Sequence, residues 1–292
     1  MSESRRQFMA RSLVAGGATA LLGTWRHAVA AEPAQPDTMQ LGLVTYNWGQ
    51  NWDLPTLIAN CAAAGFAGVE LRSTHKHGVE PTLTAEQRKD VRQQFADSPV
   101  ALAGLGSACE YHAVDPAVVR RNIDETKAFI RLCHDCGGTG VKVRPNGLPK
   151  EVPVEQTLTQ IGKALREVAE FGADFGVAVR LEVHGRGTDE LPHIKTIMDA
   201  ADHPNAVVCW NCNGTDLTGA GLEANFNLVK DRLGTIHLHD LRKDNYPWAT
   251  LFTLLKGCGF VGWTLLEEGS TPSDTVGAMH EVRRRWEQLL AR

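Results

Sequence analysis

One pattern constrains this chain more than any other. A short apolar run followed by a longer amphipathic segment recurs eight times. The apolar runs at 41–46, 68–71, 100–104, 139–143, 177–183, 207–210, 235–239 and 262–267 read as strands. The segments at 54–64, 84–96, 116–136, 153–175, 190–201, 221–233, 248–258 and 272–290 carry helical periodicity. Several helix starts are marked. Thr84 with Gln87 forms a capping-box pattern, and Asp115-Pro116 offers an N-cap followed by proline at the first helical position. Strict strand–helix alternation implies a parallel sheet, because each parallel return needs a crossover. Eight such units over about 250 residues fit closure into a (β/α)8 barrel better than an open doubly wound sheet. No GxGxxG or GxxxxGK[ST] opens any of the helices, so a nucleotide-binding fold has no support.

The first residues read as an address rather than as part of this repeat. Ser4-Arg5-Arg6-Gln7-Phe8-Met9 is a twin-arginine pattern, followed by an apolar stretch from Leu13 to Leu22 and by Ala28-Val29-Ala30, a small-x-small cleavage site. The expected organisation is a twin-arginine signal over 1–30, a disordered leader over 31–38 and one catalytic barrel over 39–292, exported to the periplasm or secreted. The apolar stretch is too short for a permanent membrane span, and no later segment is long enough. Of 30 basic and 34 acidic residues, the signal takes four arginines and one glutamate. The remainder carries a net charge of about −7, a poor match for nucleic acid or an anionic membrane. Seven cysteines include two CxxC pairs, Cys133/Cys136 and Cys209/Cys212. One pair closes a helix and the other ends a strand, which puts them at opposite faces of a barrel. Buried thiols are the expected reading, with a disulfide inside either pair open in an oxidising compartment.

In a parallel barrel the loops after the strands form the catalytic face. Here those loops are rich in His, Glu, Asp, Asn, Arg and Trp. Four strand ends stand out: LEVHG (181–185), VVCWNCN (207–213), IHLHD (236–240) and LLEEG (265–269). They place Glu182, Asn211, His237 and Glu267 where one divalent metal could bind, an oxygen-rich mixed set suited to Mn2+ first, with Mg2+, Co2+ and Zn2+ as alternatives. Residues two apart on a strand share a face. Glu182 and His184 therefore point together, as do His237 and His239, Lys142 and Arg144, and Glu70 and Arg72. Glu267 and Glu268 are opposed, and Glu267 shares the side of Leu265. Any one of these charges could be an ordinary ion pair, and Lys142 or Arg144 could balance the two glutamates without a metal. His75 and His112 follow strands two and three and could extend the site or be plain loop histidines. Trp48 and Trp210 are expected as pocket walls.

This set resembles the sugar phosphate isomerase/epimerase family of the xylose-isomerase-like TIM-barrel superfamily. The resemblance runs over roughly residues 40–290 and includes GVELRSTHKHGVEP, LGSACEYH and VKVRPNG. Its metal site uses a strand-5 Glu, a strand-6 Asp, a strand-7 His in a vHxxD pattern and a strand-8 Glu. Glu182, His237 (with Asp240) and Glu267 match, and Asn211 stands in place of the Asp. The substitution removes one negative charge from the ligand set, with Asn213 and Asp216 as further donors in the same loop. The resemblance implies proton transfer beside a ketose carbonyl through an enediolate, with Glu182 and Glu267 removing and returning the proton. His184, His239, Lys142 and Arg144 would contact the substrate, and a homodimer is the implied assembly. A lyase or hydrolase acting on 3-keto-glycosides is a second reading. A non-catalytic carbohydrate-binding barrel with a decayed metal site is a third, and an apurinic-site endonuclease is the least compatible with the acidic charge.

Overall fold

The computed structural model describes residues 36–292, so the proposed signal and most of the leader lie outside it. The described chain alternates strand and helix throughout: β1 (Met39–Val44), α1 (Leu54–Ala64), β2 (Gly68–Arg72), α2 (Ala85–Ala96), β3 (Ala101–Glu110), α3 (Pro116–Cys136), β4 (Gly140–Arg144) and α4 (Val154–Ala173). It continues with β5 (Ala178–Glu182), α5 (Leu191–Ala201), β6 (Ala206–Trp210), α6 (Leu222–Asn227), β7 (Leu233–Leu238), α7 (Trp248–Gly257), β8 (Gly262–Leu266) and α8 (Thr275–Leu290). Each strand pairs in parallel with the next, and β1 pairs with β8 to close the barrel. No helix among the described residues is long and apolar enough to cross a membrane.

The local signals act as expected. Thr84 and Gln87 cap α2 reciprocally, Thr84 Oγ1 accepting from the Gln87 amide at 3.3 Å and Gln87 Oε1 accepting from the Thr84 amide at 2.8 Å. Asp115 caps α3 through the Ala117 amide at 2.8 Å. Gly65 ends α1 at φ 71°, a left-handed turn that glycine adopts without steric cost. Two elements depart from the pattern. β3 runs on to Glu110, because β2 pairs with it as far as Gly106 and β4 as far as Glu110. Helix α6 stops at Asn227 instead of 233, followed by a separate 3-10 turn over Lys230–Arg232. The Asn225 amide there bonds the Asp216 and Thr218 carbonyls, tying the short helix to the preceding loop.

Most of the apolar core lies between barrel and helices, with Leu43, Val69, Val141, Val179, Val208 and Ile236 facing outward into it. The barrel interior is different. Val44, Ala103, Trp263 and Leu265 form a small apolar plug, and Gly68 leaves room for the Trp263 ring. Beside and above the plug the interior is charged: Glu70, Lys142, Arg180, Glu182 and His237 are all buried. A Cβ on Gly104 or Gly140 would overlap the Arg180 guanidinium, so these glycines make an arginine possible inside the barrel. All seven cysteines are free thiols, and every one except Cys258 is buried.

Candidate active site

The strand ends of β4 to β8 meet over the charged interior. Glu182 closes β5, Asn211 follows β6, His237 lies in β7 and Glu267 follows β8. Glu182, His237 and Glu267 each offer a ligand atom, and these atoms lie within 4.8 Å of one another. His237 Nδ1 is 3.5 Å from Glu182 Oε1 and 3.4 Å from Glu267 Oε2. The fourth residue, Asn211, is buried, and its Oδ1 has no hydrogen-bond partner. A buried carbonyl oxygen without a donor is costly. A cation held by these four residues would satisfy it, so the donor set fits a divalent ion of the hard to borderline kind.

Beneath this set, Glu70 Oε1 lies 3.3 Å from His237 Nε2, and Arg180 lies 3.9 Å from the other Glu70 oxygen. A carboxylate beside Nε2 favours a proton there and leaves Nδ1 facing the two glutamates. Lys142 donates to Glu182 Oε2 at 2.8 Å, and both side chains are about 3% exposed. The lysine takes one glutamate oxygen and leaves Oε1 toward His237.

These neighbours set the ionisation of the site. Burial opposes charge on Glu182, but Lys142 and His237 outweigh it and hold the carboxyl well below the ordinary range. Glu267 is lowered against burial chiefly by His237. Burial also works against the Lys142 ammonium, but Glu182, Glu267 and Glu70 outweigh it and raise its pKa. For His237, burial is overcome by the Cys209 sulfur and the carboxylates of Glu70 and Glu267, which lift its pKa well above the usual histidine value. In the protein alone, a lysine and a protonated histidine thus balance the two carboxylates.

Above these residues opens a cavity of about 220 Å3 lined by Tyr46, Arg72, Lys142, Arg144, Glu182, His184, Asn211, Asn213, His239 and Glu267. It is not the largest hollow on the molecule. A groove of about 730 Å3 between α3 and α4 is larger, but it is more open and none of these site residues lines it. One side of the cavity is set by a relay. The Glu110 carboxylate accepts from Asn146 Nδ2 at 2.6 Å and from Arg144. A carboxylate only accepts, so the Asn146 carbonyl is turned to His184 Nδ1, 2.7 Å away. His184 therefore carries its proton on Nδ1, leaving Nε2 for a ligand. His239 Nδ1 donates to the Glu267 carbonyl at 3.0 Å, which fixes that ring in the same way.

The strand parity read from the sequence places Lys142, Arg144, Glu182, His184, Asn211, His239 and Glu267 together on the cavity wall. Glu268 faces away and is bonded by Lys243 at 2.8 Å. Four expected contacts are not brought to the wall. Trp210 is fully buried on the outer face of β6, its indole on the Tyr246 hydroxyl and its ring edge on Phe226. It precedes Asn211, so alternation turns it away from the cavity. Trp48 is also buried, donating to the Ser270 carbonyl at 2.6 Å. His75 packs beside Thr45 at 3.3 Å, and His112 stands 3.8 Å from Glu110. Asp216 points away too, accepting from Tyr246 at 2.8 Å. Glu110 and Asn146 carry no strand-parity signal in the sequence, since both fall in segments that read as loops. Tyr46, Arg72 and Asn213 line the cavity without having been singled out as substrate contacts, although Arg72 shares the parity of Glu70.

The profile of the xylose isomerase-like TIM barrel family matches residues 58–288. The chain belongs to that family. A curated relative, the L-ribulose 3-epimerase of Methylomonas sp. (strain DH-1), is 23% identical over 254 residues, covering 82% of this chain and 87% of that protein. Among solved structures, a D-allulose 3-epimerase from Methylomonas sp. superimposes with TM-score 0.74 at 18% identity, over 88% of this chain and 100% of that one. An IolI protein with a bound zinc atom gives TM-score 0.73 at 15% identity, over 87% and 98%. The family's relatives thus include ketose epimerases, and one structural neighbour holds zinc.

Proposed function

We propose that this protein is an exported, divalent-metal-dependent isomerase or epimerase that moves a proton beside the carbonyl of a ketose or keto-sugar. The observation that carries the reading is the convergence of Glu182, His237 and Glu267 within 4.8 Å, next to the unpartnered Asn211 oxygen. The L-ribulose and D-allulose epimerases among its relatives support the same reaction class. Glu182, Asn211, His237 and Glu267 would hold the ion, Mn2+ being the first choice. When bound, the ion would polarise the substrate carbonyl and make the neighbouring C–H acidic.

The chain's own residues do the rest. Glu182 and Glu267 are both ionised across the neutral range, the state a base requires, and they would remove and return the proton. Where the proton returns decides between epimer and isomer. Lys142 keeps Glu182 charged and fixes one of its oxygens. His184 and His239, each oriented by a bond to its Nδ1, present Nε2 to substrate hydroxyls. The twin-arginine pattern motivates export, and secretion assays on a reporter fused to residues 1–30 would test that part separately.

The deciding experiment measures metal by elemental analysis and α-proton exchange of L-ribulose and D-allulose in D2O by NMR. The wild type should hold about one ion and exchange at least one ketose, and Glu182→Gln and His237→Ala should lose both properties. A protein that binds metal yet exchanges no ketose and instead releases aglycone from a 3-keto-glycoside would move the assignment to the lyase class.

A further inference from the structure

The charges lining the cavity do not balance. Arg72, Lys142 and Arg144 face two carboxylates, Glu182 and Glu267. Lys142 is paired with Glu182, and Arg144 with Glu110. Arg72 has no carboxylate within salt-bridge distance among the described residues, and its guanidinium stacks 4.5 Å over the Tyr46 ring. Its backbone is held on both sides: its amide donates to Thr45 Oγ1 at 2.9 Å, and its carbonyl lies 2.8 Å from His77 Nε2. The side chain is therefore presented from a fixed point, lying along an aromatic face rather than spread into solvent. Its positive field is felt nearby, since burial and then the charge of Arg72 push His75 below the usual histidine value. A second donor is idle on the same wall: Arg144 Nε is buried without a partner. Asn211 adds to the imbalance, since it brings no charge to the ligand set. A divalent ion would make the excess of positive charge larger still.

We propose that the ketose taken by this site carries a carboxylate, and that Arg72 binds it. The inference rests on the proton-transfer reading and narrows its substrate class to acidic keto-sugars. A guanidinium offers two parallel N–H groups that match a carboxylate. A phosphate is usually cradled by backbone amides at the start of an α-helix, and no residue from the first turn of an α-helix lines this cavity, whose one helix-capping residue, Asn213, precedes only a four-residue 3-10 turn. The volume of about 220 Å3 is below the roughly 300–1,000 Å3 of pockets for drug-sized ligands and suits a single sugar unit.

The test uses matched pairs, so that stereochemistry cancels: D-fructuronate against D-fructose and D-tagaturonate against D-tagatose, with D-fructose 6-phosphate as a third arm. Binding is measured by calorimetry on Mn2+-loaded wild type, Arg72→Gln and Arg72→Lys, after circular dichroism shows the variants folded. At least one acidic sugar should bind tenfold or more tighter than its neutral partner. Arg72→Gln should erase that preference, and Arg72→Lys should keep part of it. Equal binding within each pair, no binding by any probe, or an equal loss for both members in Arg72→Gln would overturn the proposal. Tighter binding of the phosphate ester would overturn the carboxylate in favour of a phosphorylated substrate. Proton exchange on the same sugars reports on the reaction separately. A preference that depends on Arg72 without any exchange would retire the proton-transfer reading and leave the acidic ligand standing.

Discussion

The two halves of the barrel divide the chemistry. Strands β5 to β8 bring electron-pair donors, Glu182, Asn211, His237 and Glu267. Strands β2 to β4 bring N–H donors, Arg72, Lys142 and Arg144. The second half can keep two ionised carboxylates together in a buried place because Lys142 from the first half and His237 from its own β7 balance them. Asp216 shows what happens otherwise. It lies in the loop after β6, is fully buried, and has no cation within salt-bridge distance among the described residues. Burial pushes its pKa up to about 7, against the hydrogen bonds from Tyr246 and the Asn213 side of the loop. Two carboxylates from one half of the fold thus differ in ionisation because only one has a partner from the other half.

The largest effects should come from cutting the pairing between halves. Glu182→Gln should lower proton exchange by about 10^2–10^4-fold. It should also cost about 3–5 kcal/mol of stability, since Lys142 is left buried and unpaired. Glu267→Gln should match it in exchange but lose far less stability, because Glu267 makes no bond to a lysine. Thermal denaturation of the two variants beside NMR exchange separates these outcomes; equal destabilisation would mean that Lys142 is not held by Glu182 alone.

A carboxylate without a cation should respond the other way. The Asp216 pKa is raised from 3.8 to about 7. The folded state therefore binds the proton more tightly than the unfolded chain, and stability is lost as pH rises from about 4 through about 7. Asp216→Asn removes that loss, by an amount on the order of a few kcal/mol. The variant should melt higher than wild type at pH 8 and equally at pH 4. Parallel melting curves at every pH would show that Asp216 keeps its charge in the fold.

The third prediction alters the balance by a single charge. Asn211→Asp adds a negative charge to the second half without changing its shape. Metal affinity should rise by a factor on the order of ten, because ligand charge tunes binding of hard cations. Titration calorimetry with Mn2+ checks it, and an unchanged affinity would place residue 211 outside the ligand set. The smallest effect should come from Asn146→Asp, which sets a like charge against Glu110 and disturbs the orientation of His184. A modest rise in KM with little change in metal content is expected, and a loss of metal would contradict that local role.

Much of the fold was legible because its signals are local. Eight strand–helix units, the Thr84–Gln87 cap and the alternation that puts Glu182 with His184 follow from backbone sterics over a few residues. The same alternation chose Glu267 over Glu268 and, applied to Trp210, would have removed it from the pocket walls. β3 was less legible. Gly106 and Ser107 read as loop, yet β2 pairs with the strand as far as Gly106 and β4 carries it to Glu110.

What the sequence by itself determined is the order of the elements and the face each side chain takes, since both are set by short-range geometry. What the tertiary structure decided is which charges meet. Lys142 and Glu182 are 40 residues apart, Glu70 finds His237 across the barrel, and Arg72 finds no carboxylate within salt-bridge distance among the described residues. Electrostatic pairing acts through space, and only closure of the barrel brings those distances within a few ångströms.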